Sequence, residues 1–262
     1  MNKELVKVKL KNKERKFVFN WKPDLTDYRD HVFKASVTKV IPSKIDLRPF
    51  CPPIYDQGEL GSCVANAVGA AFQFGQMKQK RPTFIPSRLF IYYNQRVMMN
   101  TIKSDSGASL RNGIKTLDNT GVCPELDWRY KISKYTQKPP QNCYDIALKN
   151  QVEEYLHVNS SIPEIKHCLA DGFPVAFGFT VYSSLLTDEV AQTGIMPMPQ
   201  DKDELQGGHA VLAVGYDNSK NALLVRNSWG TDWGLYGYFW MPYDYISLAH
   251  LASDFWSIRV VE

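Results

Sequence analysis

Cys63 closes the stretch Gln57-Gly-Glu-Leu-Gly-Ser-Cys63 and opens a run of small and apolar residues from Val64 to Phe74. Such a run predicts a buried helix, with Ser62 at its N-cap. A cysteine in the first turn of a helix sits at the positive end of the macrodipole. That end favours the thiolate, and the thiolate is the nucleophile. Gln57 stands upstream across Gly58 and Gly61, so a tight turn could swing its amide back toward the sulfur. A thiol of ordinary pKa also needs a base. His209, in Gly207-Gly-His209-Ala-Val-Leu-Ala-Val214, starts a predicted strand. Asn227, in Val225-Arg-Asn227-Ser-Trp229, ends a later one. Joined as an antiparallel pair through the Asp217-Asn-Ser219 turn, the two strands bring His209 and Asn227 to one edge of a sheet. Singly, a buried cysteine is most often a small core hydrophobe, and a strand-end histidine or asparagine is unremarked. Together His209 and Asn227 bring an imidazole and an amide to one edge of the sheet, where they could meet.

The elements that must position them divide by halves. Helical patterns cover 63–79, 87–99 and 109–119. The second carries Leu89, Phe90, Tyr93 and Val97 on one face, and the third closes at Gly121. Residues 128–140 read as a loop. Beyond them come a strand at 151–158 and a short helix at 162–170, capped by Ser160 or Ser161 and stopped at Gly172. Short β-branched or aromatic strands follow at 175–181, 209–214, 222–225, 237–240 and 255–260. The fold class is α+β, a helical half followed by a β half, with a cleft between lobes as the natural site.

In three blocks the chain resembles the papain-like cysteine peptidases: the Gln-Gly-x-x-Gly-Ser-Cys corner, the Gly-His-Ala-Val block and the Asn-Ser-Trp-Gly-x-x-Trp-Gly-x-x-Gly-Tyr block, in the family's order. A cysteine with its histidine and asparagine far downstream is that family's spacing. The resemblance covers roughly residues 45–262. It implies a two-lobe fold, mainly helical over about 45–150 and an antiparallel sheet or barrel over about 151–262. It implies Cys63 as nucleophile, His209 as base and later acid, and Asn227 as the group that holds the imidazole. Gln57 and the Cys63 N–H would form the oxyanion hole, with Trp229 covering the His209–Asn227 contact. It implies peptide or protein substrates cut by an endopeptidase, with no metal or organic cofactor. Substrate would meet Ser106, Gly107, Ala108 and Gly208, and a pocket floored by Ser253 or Asp254. An inward Asp254 would favour a basic side chain, and otherwise an apolar or aromatic one is expected. The alternatives are another Cys-His-Asn amidase or acyl transferase, or an inert binding or inhibitory protein of the same fold.

The chain departs from the family at three places. Val64 stands where an aromatic usually follows the cysteine. Leu60 stands where a disulfide cysteine is common. Ser104-Asp-Ser-Gly107-Ala-Ser109 replaces a Cys-Asn-Gly-Gly wall. No His-His pair lies in residues 128–144, so nothing implies the occluding loop of the cathepsin B branch.

The 262 residues have room for two cores, and 44% hydrophobic with 22% charged residues is a globular balance. A net charge of +4 is too mild to argue for nucleic acid. No stretch is apolar enough to span a membrane. The first residues lack the apolar core of a secretory signal, so Met1 reads as an untargeted start. The expectation is an intracellular monomer, with export by another route or packaging in a particle left open. The five cysteines have no zinc-ligand spacing and are expected reduced, with a disulfide among Cys51, Cys123, Cys143 and Cys168 left open. Residues 1–44 stand apart. Lys3, Lys7, Lys9, Lys11, Lys13, Arg15 and Lys16 make them basic, without helical periodicity. They read either as a solvated strand or structural arm, or as an inhibitory propeptide lying through the cleft.

Overall fold

The computed structural model describes residues 5–36 and 38–262, so Met1 and Lys3 lie outside the described residues. Two short strands come first, β1 (Val6–Lys9) and β2 (Glu14–Phe17), paired as an antiparallel hairpin. A third, β3 (Lys44–Asp46), pairs with a strand of the main sheet.

Helix α1 (Cys63–Lys78) is buried from Cys63 to Gln76, which is why its apolar residues run all round rather than as a stripe. Its small residues, Ala65, Ala67, Gly69, Ala70 and Ala71, let neighbouring elements approach closely. Ser62 takes the N-cap position, but its hydroxyl does not cap the helix. The hydroxyl instead pairs with Tyr130 Oη and accepts from Asn66 Nδ2 at 3.1 Å. The predicted side-chain cap is therefore replaced by a tertiary contact. Helix α2 (Arg88–Met98) is capped by Ser87, whose Oγ accepts from the Phe90 N–H and donates to Trp128 O. Helix α3 (Leu110–Asn119) is capped by Ser109 and ends at Gly121, whose φ of +73° suits glycine. The 128–140 loop contains one 3-10 turn, Ile132–Lys134. Helix α4 (Gln141–Ala147) has seven residues, too few to show a period in sequence.

The second half builds one twisted sheet. Its strands are β4 (Val152–Val158), β5 (Val175–Tyr182), β6 (Leu205–Asp217), β7 (Ala222–Arg226), β8 (Tyr238–Pro242) and β9 (Ala252–Val261). The order is β4-β9-β5-β6-β7-β8, with β3 also on β6 and all pairs antiparallel. Helix α5 (Ile162–Ala170) is the predicted one, and α6 (Asp188–Thr193) and α7 (Tyr243–Ser247) are single turns that periodicity did not reveal. The β6–β7 hairpin turns at Asp217, whose carboxylate accepts from the Ser219 N–H and Oγ. One expectation needs correcting. His209 does not start a strand, because Leu205–Gly208 already pair with β5, and it lies inside β6.

The N-terminal extension touches both halves. Four of its basic side chains are paired with acids: Lys7 and Lys9 with Glu14, Lys13 with Asp232, and Arg15 with Asp56. Residues 17–24 then cross between the halves. Past them, Phe33 N–H donates to His157 O at 2.7 Å and His157 N–H to His31 O at 2.8 Å, so the segment lies along β4. All five cysteines are free thiols.

Candidate active site

α1 aims its first residue at the sheet, and β6 lies across from it. Cys63 is fully buried. The backbone N–H groups of Ala210 and Val64 point at its sulfur and favour the thiolate, whereas burial outweighs them and pushes the thiol up to about 12. The N–H of Ala210 belongs to the residue after His209, so sulfur and imidazole share one corner of the cleft.

His209 Nε2 lies 2.8 Å from Asn227 Oδ1. The same oxygen accepts the Ser228 N–H at 2.8 Å, which identifies it as the acceptor and makes His209 Nε2 the protonated nitrogen. His209 Nδ1 therefore carries a lone pair, and among the described residues it has no hydrogen-bond partner. A bare, buried ring nitrogen, on the residue before the one whose N–H reaches the Cys63 sulfur, is a base that could take a thiol proton. Burial holds the imidazole down to about 4, partly offset by the Asn227 contact. As packed, burial favours the neutral form of both groups.

Aromatic rings enclose the imidazole. Trp229 stacks on it with centroids 5.0 Å apart and planes 27° from parallel. Phe179 meets it edge-on at 5.7 Å, and Phe19 of the extension edge-on at 5.8 Å. Asn227 directly follows β7, and its own N–H donates to Gly237 O, which fixes the side chain's origin.

Gln57 is fully buried within the same corner. Its Oε1 accepts from Ser228 Oγ at 2.6 Å, its Nε2 donates to Leu60 O at 3.1 Å, and its backbone N–H donates to Ser228 O at 2.9 Å. Tyr130 Oη donates to Gln57 O at 2.8 Å. The amide N–H groups thus face the turn that carries Cys63, whose own N–H belongs to the unpaired first turn of α1. Such a pair of donors can hold an oxygen that becomes negative.

The extension fills the cleft over these groups. Phe19 covers His209 and lies against Gly207, where a Cβ would sit 2.8 Å from its own. Asn20 lies against Gly61 and Gly107, where an added Cβ would overlap it. The Trp21 N–H donates to Gly208 O at 3.0 Å and the Lys22 N–H to Ala108 O at 3.2 Å. The indole of Trp21 spreads over Gly178 and Gly208. Ser106 Oγ pairs with Thr101 Oγ1 at 2.7 Å, within the wall rather than toward the cleft. Ser253 stands opposite Gly178 in register. Asp254, at φ +60°, accepts the Asp24 N–H at 2.7 Å. Burial first, and then the Asp24 carboxylate, push Asp254 up to about 6.

Sequence reasoning missed Phe19, Trp21, Ser228 and Asp105. For the first two a signal existed: Phe17, Val18, Phe19 and Trp21 make a short apolar, aromatic run inside an otherwise basic extension, and all four are buried. Ser228 and Asp105 act through backbone and second-row contacts that carry no pattern. No group of three or more His, Cys, Asp or Glu side chains that could hold a metal ion occurs among the described residues.

The profile of the papain family of cysteine proteases matches residues 41–256. An uncharacterised peptidase C1-like protein of Acanthamoeba polyphaga mimivirus is 45% identical over 237 residues, covering 85% of this chain and 76% of its own. The crystal structure of xylellain, a cysteine protease from Xylella fastidiosa, is similar at 43% identity and a TM-score of 0.88, over 93% of this chain and 96% of that one. Procathepsin L of Felis catus is 28% identical over 240 residues, 85% of this chain and 68% of its own. A procathepsin B of Trypanosoma congolense, at 17% identity and a TM-score of 0.75, shares the fold over 94% of this chain and 87% of that one.

Proposed function

The chain belongs to the papain family of cysteine proteases, and from that premise we propose that it is an endopeptidase whose Cys63, His209, Asn227 and Gln57 do the chemistry and whose residues 17–24 gate it. The observation that carries the catalytic reading is the His209–Asn227 contact, which leaves Nδ1 as a free base beside the Cys63 corner. His209 takes the thiol proton, and the Cys63 sulfur attacks a peptide carbonyl. The carbonyl oxygen becomes an oxyanion held by the Gln57 amide and the Cys63 N–H. The C–N bond breaks as His209 returns the proton to the leaving amine, giving a thioester. Water, deprotonated by His209, then attacks the thioester and frees the acid and the thiol. Trp229 keeps water from the Asn227–His209 contact.

Substrate passes where the extension now lies. Gly107, Ala108 and Gly208 present backbone to it, and Ser106 supports that wall. Gly178, Gly208 and Ser253 bed a side chain, and Asp254 stands where it meets the substrate's backbone or a basic side chain. With residues 17–24 in place, Cys63 is buried and burial disfavours the charged forms of both reacting groups, which supports the extension as an inhibitory segment.

Labelling by a thiol-directed peptidyl epoxide, read by intact mass, tests both halves. The full-length chain, its Phe19→Ala/Trp21→Ala form, Cys63→Ala and His209→Ala are compared. One adduct per chain, absent from the Cys63 and His209 variants and faster in the double variant, is expected. No adduct in either form with Cys63 intact would return the chain to an inert protein of this fold. Equal rates in the two would remove the gate.

A further inference from the structure

The corner that carries Cys63 is tied to the cleft wall by one acidic side chain. The Gly61 N–H, two residues before the nucleophile, donates to both oxygens of Asp105, at 3.1 and 3.2 Å. The Tyr92 hydroxyl donates to the same carboxylate and itself accepts the Gly107 N–H at 3.2 Å. Asp105 thus spans from the nucleophile's turn to the backbone at 106–108 that faces the cleft. Its loop is held from beneath by Arg96, which is fully buried. That guanidinium donates to Ile102 O at 2.9 Å, to Ser104 O at 3.0 Å and to Tyr135 O, and it lies 4.2 Å over the Tyr92 ring. A buried arginine spent on carbonyls makes the loop rigid, because each carbonyl would otherwise lose its partner.

We propose that Asp105 is a positioning residue of the peptidase site, holding the Gly61–Cys63 corner in register with the wall at Ser106–Ala108. The proposal rests on Cys63 being the nucleophile. Reaction rates fall steeply when a nucleophile and its substrate-facing backbone shift by about 1 Å. A tie through one carboxylate fixes both at once. The tie also opposes ionisation: a carboxylate near a thiol disfavours the thiolate, and Asp105 acts on Cys63 in that direction. Position and charge are therefore two separable effects of one side chain. Asparagine keeps an oxygen for Gly61 and Tyr92 but removes the charge. Alanine removes both.

The test uses the full-length chain with Phe19→Ala/Trp21→Ala as parent, so that the thiol is reachable. Asp105→Asn, Asp105→Ala and Tyr92→Phe are placed in it. The pH dependence of Cys63 alkylation by iodoacetamide is read by peptide mapping, beside kcat and KM on a quenched peptide. In Asp105→Asn the alkylation midpoint should fall by about half a pH unit or more, because the repelling charge is gone. A purely structural role would leave that midpoint alone. Asp105→Ala should lose about tenfold or more in kcat, and Asp105→Asn much less. Tyr92→Phe should raise KM through the freed Gly107 N–H and leave the midpoint unchanged. An unshifted midpoint in Asp105→Asn, or parental kcat and KM in Asp105→Ala, would overturn the proposal. If Asp105→Ala does not fold, the Asn and Phe variants still decide. A midpoint shift with no cleavage by any variant would remove the peptidase reading and support the tie. Cleavage with no shift would do the reverse.

Discussion

The indole of Trp21 fills the space that a side chain at position 178 would need: a Cβ built on Gly178 overlaps Cε2 and Cζ2 of the ring. Gly208 yields likewise, with its Cβ position 2.7 Å from Cε3. In register beside Gly178 stand Ala210 on β6 and Ser253 on β9. Small residues on three adjacent strands thus make a bed the width of two fused rings.

Emptying that bed should open the enzyme. Losing a buried tryptophan side chain costs about 3–5 kcal/mol in a core, and less where the segment can resettle. Trp21→Ala should therefore raise the full-length chain's activity on a small peptide by about tenfold or more. Gly178→Val should expel the indole and raise activity too, while turning side-chain preference in the bed from large aromatic to small. Activity unchanged in both variants would show that the segment leaves without regard to Trp21.

The segment's hold on Asp254 depends on pH. Asp254 accepts the Asp24 N–H, and Asp24's own carboxylate is held by the Arg111 N–H and by Trp256 Nε1 at 2.9 Å. Arg111 in turn pairs with Asp30. Burial and the facing Asp24 raise Asp254 from 3.8 to about 6. A carboxyl raised in the docked state favours docking fully below about 3.8, and that contribution is lost as pH rises through about 6. His209 works the other way, because docking holds it near 4 and acid must charge it. Comparing the parent with Asp254→Asn cancels the histidine. Alkylation of Cys63 by iodoacetamide should be slower in Asp254→Asn than in the parent at pH 7, and the two rates should converge near pH 4. A rate ratio that does not move with pH would remove Asp254 from the latch.

Much of this was legible in sequence because it rests on local pattern. The Cys63 helix follows from its small-residue run, the β6–β7 hairpin from its Asp217 turn, and the His209–Asn227 meeting from that hairpin. What was illegible rests on tertiary placement. Ser62 looks like a cap, yet Tyr130 claims its hydroxyl from 68 positions away. α4, α6 and α7 are too short for a period. The extension's basic cluster reads as a solvated strand or arm, but the acidic partners that answer four of its charges, Glu14, Asp56 and Asp232, are set by the folded chain. Its aromatic run marks a buried segment without saying what buries it.

The dipeptide Asn227-Ser228 orients both halves of the proposed chemistry. Asn227 holds the imidazole and Ser228 holds the Gln57 amide oxygen, so one turn after β7 sets base and oxyanion donor together. Gln57→Ala should cost on the order of 10²-fold in kcat with little change in KM, since the amide acts on charge that appears only in the transition state. Ser228→Ala leaves the amide in place but frees it to rotate about its last bond. Its nitrogen would keep the Leu60 carbonyl for part of the time, so the loss in kcat should be smaller, about tenfold. In Gln57→Ala the added Ser228→Ala should then cost almost nothing, because its partner is already gone. Losses that simply multiply in the double variant would mean that Ser228 acts on the site by another route than Gln57.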